Sequence, residues 1–164
     1  MEADQLLKAL NNEKNEKMLE HSFSEIKNKK NDILQQLQLS KNLLKQFHKK
    51  LENYKYCETI EEMDYGHYVR WISLKNPEVI KLTNGGVICD MKIQNEIPYL
   101  LCKNNLNRMF QVNLNTCVVF QKLTNDELII LEVILNLSNF KNYDSKIISL
   151  KKSSEANIIS QTNC

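Results

Sequence analysis

The residues of this chain that could do chemistry are spaced in a way that excludes most of it. Five cysteines, Cys57, Cys89, Cys102, Cys117 and Cys164, form no CxxC pair. Zinc clips and dithiol couples need spacing of that kind, and an odd count without framework spacing points to a reducing compartment. Cys89, Cys102 and Cys117 fall inside apolar runs, where a thiol packs as a small hydrophobe. His21, His48 and His67 are far apart, at no spacing that resembles a zinc site. Asp90 follows Cys89 on a predicted strand with no acid–base partner, and Gly85-Gly86 comes without a GxGxxG run or a phosphate-loop lysine. Nothing assembles a nucleophile, a base and an oxyanion site. The expectation is a non-enzymatic protein with no catalytic, cofactor-binding or metal-ligating residues.

Nucleic-acid binding is the second chemistry to weigh. The net charge is +2, close to neutral, but eight lysines between Lys27 and Lys55 face only Asp32 and Glu52. An acidic cluster, Glu58, Glu61, Glu62 and Asp64, follows at once. That pattern attracts phosphate, or it is a solvated face with charge pairing between protomers. Arg70 and Trp71 are adjacent on a predicted strand and so point to opposite faces. Trp71 in the core with Arg70 exposed is the structural reading. The alternative is a small barrel on which Lys49, Lys50, Arg70, Lys103 and Arg108 contact phosphates while Trp71 or Tyr68 stacks on bases.

The elements that must position these groups begin with a heptad ladder. From Leu19 the positions Phe23, Ile26, Lys30, Ile33, Leu37, Ser40, Leu44, Phe47, Leu51 and Tyr54 follow at spacings alternating four and three, with no Gly or Pro between. This is the period of an under-wound helix that keeps one seam toward a partner helix. It predicts a coiled-coil stalk over residues 1–55 that self-associates through Leu19, Phe23, Ile26, Ile33, Leu37, Leu44, Phe47, Leu51 and Tyr54. Leu37, Leu44 and Leu51 alternate with Ile26 and Ile33, which puts a trimer ahead of a dimer. Lys30 and Ser40 on the seam either select the register or mark a local imperfection.

After Tyr56 the period shortens to two. Tyr68–Leu74, Val79–Thr83, Val87–Ile93, Pro98–Cys102, Met109–Leu114 and Cys117–Leu123 read as about six short strands, with Asn84-Gly85 as a type I′ hairpin turn. Strands so dense and so closely connected predict a small antiparallel barrel-like domain that removes its own edges. Thr124-Asn-Asp-Glu127 is a capping box that opens a C-terminal helix through Leu135 or beyond. The fold class expected is α+β, divided into a stalk (1–55), a β-domain with its C-terminal helix (56–140) and a flexible tail (141–164).

The segments Gly66-His-Tyr-Val-Arg-Trp-Ile72, Leu82-Thr-Asn-Gly-Gly-Val87, Tyr99-Leu-Leu101 and Val119-Phe-Gln-Lys122 resemble a pattern in small β-domain proteins of giant nucleocytoplasmic large DNA viruses. The resemblance covers residues 65–123 and leaves out the coil. It implies a virus-encoded protein of the host cytoplasm or the virion, and it lends no catalytic residues. The N-terminus MEADQLLKAL is charged, with too short an apolar run for a signal peptide, and Glu132 interrupts the longest apolar stretch. A soluble cytoplasmic protein with no membrane contact is therefore expected. Its function is expected to be structural: a scaffold whose stalk multimerises β-domains that bind another protein.

Overall fold

The computed structural model describes residues 3–12 and 23–162, so Leu19, His21 and Cys164 lie outside the described residues. The chain divides into two compact units. Residues 24–124 form one, and the segments before and after them form the other.

The central unit holds an antiparallel six-stranded sheet and two helices. Helix α2 (Phe23–Gln36) and helix α3 (Lys41–Lys50) precede strands β1 (Tyr54–Cys57), β2 (Tyr68–Ser73), β3 (Gly86–Gln94), β4 (Ile97–Lys103), β5 (Met109–Asn113) and β6 (Cys117–Lys122). The strand order is β1-β6-β2-β3-β4-β5. In the other unit, α1 (Ala3–Leu10) packs along α4 (Asn125–Thr162). The α+β class stands.

The ladder over residues 19–54 is not one helix. Gln38 sits at φ 51°, and the turn before it is tightened by Leu37 N–H to Leu34 O and Gln38 N–H to Gln35 O, at 3.3 and 3.1 Å. Ser40 then caps a new helix, its hydroxyl accepting from the Leu43 N–H at 3.4 Å. The reason for the break is packing. Leu34, Phe47, Leu51 and Tyr54 are buried in one cluster with Ile72, Val118 and Phe120 of the sheet, and Ile33, Leu37 and Leu44 lean on it. Ile33, Leu37, Leu44, Phe47, Leu51 and Tyr54 of the expected seam therefore pack against the sheet of their own chain, while Phe23 stays exposed, and residues 24–124 form one unit across the expected boundary at residue 55. Tyr54 itself begins a strand.

Strands β1, β6 and β2 are covered on both sides. Their other face joins Cys57, Val69 and Val119 to Ile88, Leu100, Cys102 and Val112 in a second core. Near-continuous apolar runs such as Cys117–Phe120 follow from burial on two faces.

The sheet is coiled but open, not a closed barrel. The connection between β5 and β6 is Leu114–Thr116, which reaches at most about 14 Å. Laid flat, the sheet would separate those strands by about 19 Å. It must therefore curl, and the connector is tied at both sides: Leu114 N–H donates to Pro98 O at 3.0 Å, and Leu74 N–H to Thr116 O at 2.8 Å. No ladder joins β5 to β6, so β5 and β1 remain edges.

The hairpin turn also lies elsewhere than expected. Residues 79–83 make only an isolated bridge, Ile72 to Leu82, and a contact of the Thr83 N–H with Trp71 O at 3.0 Å. The I′-type turn is Asn95-Glu96 between β3 and β4, at φ 51° and 64°. Gly85, at φ 90°, has no room for a side chain, because a Cβ would overlap the Val69 carbonyl. Finally, residues 141–162, expected as part of a flexible tail, continue helix α4.

Candidate functional site

The coiling of the sheet leaves a cleft of about 420 Å³ where the free edge of β5 faces the ends of β2 and β6. Val112 and Trp71 supply its apolar floor, and the Trp71 ring meets Phe110 of β5 at 6.0 Å between centroids. Ser73, Gln111, Asn113 and Thr116 give it hydrogen-bonding groups. Lys75 is the sole charged residue of the lining.

The backbone of β5 adds a second feature. The Asn104 N–H donates to Arg108 O and the Leu114 N–H to Pro98 O, both at 3.0 Å, so the narrow hydrogen-bonded pairs of β4 and β5 are Cys102–Phe110 and Leu100–Val112. The intervening residues Met109, Gln111 and Asn113 therefore aim their amides and carbonyls away from β4, toward the open edge. Asn113 O is taken by the Thr116 N–H at 3.2 Å. Gln111 sits in the cleft with its backbone facing outward.

The groups of this lining that could move a proton or attack a carbon are Ser73, Lys75, Tyr99, Thr116 and Cys117. The lining contains no His, Asp or Glu. Burial pushes the Cys117 thiol up, against weaker pulls from the Thr116 hydroxyl and the Lys75 ammonium. The other enclosed thiols are more inert still: burial raises Cys57 and Cys102 from 9.0 to about 12. No group of three or more His, Cys, Asp and Glu side chains that could hold a metal occurs among the described residues.

The basic and aromatic residues weighed for nucleic acid fall on both faces of the sheet. Trp71 lies on the cleft side of β2, whereas Arg70 lies on the helix side, its guanidinium 5.6 Å from the centroid of the Tyr54 ring. Trp71 is half-buried, and so is Arg70, which the strand reading had exposed. Lys103 and Arg108 flank the β4–β5 turn, while Lys49 and Lys50 end α3.

Lys30, weighed as a polar residue of the seam, has a different task. Its ammonium donates to the carbonyls of Leu51 at 2.6 Å, Glu52 at 3.1 Å and Tyr54 at 3.0 Å. These carbonyls follow the end of α3, where helix geometry leaves acceptors without partners. Burial lowers the Lys30 pKa, and the nearby Glu52 carboxylate partly restores it. One lysine thus ties α2 to the α3–β1 junction.

The second unit carries an exposed apolar stripe. Leu137, Phe140, Tyr143, Ile147 and Leu150 recur along α4 at spacings of three and four, which places them on one face. Phe140 is 71 % exposed and Tyr143 66 %. Asp126, Glu127 and Glu132 lie near the start of α4, with Glu127 buried, and Lys141, Asp144, Lys146, Lys151, Lys152 and Glu155 follow along the helix.

The cleft residues Ser73, Lys75, Tyr99, Gln111, Asn113 and Thr116 were not singled out from sequence. Alternation in Met-Phe-Gln-Val-Asn marks β5 as a strand, but nothing local marks it as an edge. No helix among the described residues is long and apolar enough to cross a membrane. Comparison with family models, curated proteins and solved structures gives no match to this chain, so the likeness to giant-virus β-domains rests on the motif residues alone.

Proposed function

We propose that this chain is a non-enzymatic assembly protein that pairs with a second copy through α4 and uses its β-unit as a binding head for another protein. The observation that carries the reading is the exposed stripe Leu137, Phe140, Tyr143 and Leu150 on a helix without Gly or Pro. An apolar face of this kind is a docking surface when rimmed by charge. A second copy fits it because two α4 helices that run antiparallel lay one stripe against the other. That arrangement is isologous and closes as a dimer. On this reading self-association runs through the C-terminal helix and forms a dimer, where the N-terminal ladder by itself leads to a trimer; six of the ladder's seam residues pack against their own sheet.

Sedimentation of the full chain over a hundredfold concentration range tests this. The expected result is a monomer–dimer equilibrium that the double substitution Phe140→Asp, Tyr143→Asp abolishes. A wild-type chain that remains monomeric throughout overturns it.

A further inference from the structure

We infer that the free edge of β5 and the adjoining cleft take an extended, acidic peptide segment as a seventh strand. This rests on the reading of the β-unit as a binding head and names the chemistry of what it binds.

Three observations converge on that occupant. The first is the backbone. Met109 and Gln111 present amides and carbonyls outward, at the two-residue period of an antiparallel ladder. Only another extended chain satisfies donors and acceptors in that order, and such pairing is the usual means by which a sheet edge binds a peptide. The second is accessibility. Gln111 is exposed, Met109 is 49 % exposed and Phe110 38 %. The third is the cleft beside the edge. Trp71 and Val112 offer an apolar floor for one side chain of the incoming strand, and Ser73 and Thr116 offer hydrogen bonds at its rim. With Lys75 as the one charge and no carboxylate in the lining, a peptide bearing Asp or Glu is favoured over a basic one. The β1 edge lacks this combination, because its residues are buried or half-buried.

Proline provides a selective probe. Gln111 N–H points away from β4, so proline at that position leaves the existing ladder intact while removing a donor from the edge. The test pans phage-displayed random linear dodecapeptides on the full chain, then measures the selected peptides by fluorescence anisotropy. The expected outcome is enrichment of sequences that alternate β-branched and acidic residues. Their affinity should fall about tenfold or more in Gln111→Pro, as expected for loss of a backbone bond and its neighbours. It should fall similarly in Lys75→Glu and remain unchanged in Lys8→Glu. Circular dichroism should show both cleft variants folded. If Gln111→Pro unfolds, the Lys75→Glu comparison decides alone. Absence of enrichment, enrichment of basic peptides, or equal affinity for wild type and Lys75→Glu overturns the inference. So does a Gln111→Pro chain that loses dimerisation, which would assign the edge to a second copy. A monomeric wild-type chain that still selects acidic strands would end the dimer reading and leave this one standing.

Discussion

Two stretches of this chain carry apolar residues at helical spacing, and they end in opposite circumstances. Between Ile33 and Tyr54 the apolar side chains are drawn into the core beside Ile72, Val118 and Phe120. Between Leu137 and Leu150 they remain mostly in solvent. The spacing is much the same in both. Periodicity therefore states that a helix face requires a partner, but not whether that partner is the same chain or another. The first stretch meets a sheet whose β1, β6 and β2 present a complementary face. The second meets no such face among the described residues of its own unit, and its apolar side chains stay exposed.

The comparison is sharpest at two phenylalanines. Phe120 is fully buried, and Phe140 is among the most exposed apolar residues of the chain. Phe120→Ala should destabilise the central unit by about 3–5 kcal/mol, the range for deleting a buried aromatic ring. Chemical denaturation followed by tryptophan fluorescence reports it directly, because Trp71 lies in the same unit. A loss below about 1 kcal/mol would mean that the core between helices and sheet is not formed as described.

A second effect separates the enclosed thiols from the open helix. Cys57 and Cys102 keep their protons in the folded chain up to about 12, whereas unburied thiols release them near 9.0. Between those values the unfolded chain binds fewer protons than the folded one, so stability is complete below pH 9 and falls as the pH rises toward 12. For Cys57 the slope is about 1.4 kcal/mol per pH unit. Burial also raises Tyr54 and Tyr56, which act in the same direction. Lys30 acts oppositely, since its lowered pKa makes the unfolded chain the better proton binder just below the ordinary lysine value of 10.5. Urea midpoints should therefore be nearly level between pH 7 and 9 and decline from pH 9 to 10.5 for the wild type. They should decline less for the Cys57→Ala, Cys102→Ala chain. Equal declines would remove the thiols as the cause.

How much was legible follows the range of the interactions. Five of the six strands lie where alternation and turn residues place them, Tyr68–Ser73 and Cys117–Lys122 among them. Local chemistry suffices for those. The strand Tyr54–Cys57 was hidden because its residues also continue a heptad count, and only its ladder with β6 decides between the two. The helix break at Gln38 was hidden for a related reason: no Gly or Pro announces it, and the sheet behind Leu34 and Phe47 enforces it. Val79–Thr83 has the composition of a strand but pairs at a single bridge. As for the cleft, Trp71 was recognisable as facing away from Arg70, while Gln111 and Lys75 acquire meaning only from the strand order. Insertion of β6 between β1 and β2 is a long-range event that leaves no mark on either neighbour's sequence.

The smallest expected effect is the most telling about the open stripe. Phe140→Ser removes a ring that is largely in water already, so at concentrations where the chain is monomeric its stability should change by no more than about 0.5 kcal/mol. What should change is the response to concentration. If α4 pairs with a second copy, dimerisation stabilises the folded state by mass action, and the wild-type Tm rises with protein concentration. The Phe140→Ser chain should show a flat Tm over the same range, and the two should coincide at the dilute limit. Thermal scans across two decades of concentration provide the measurement. A wild-type Tm that stays flat would place the stripe among exposed surfaces with no second copy upon them. A large loss in the dilute variant would show instead that Phe140 has an intramolecular partner, and the contrast between the two helical stretches would then disappear.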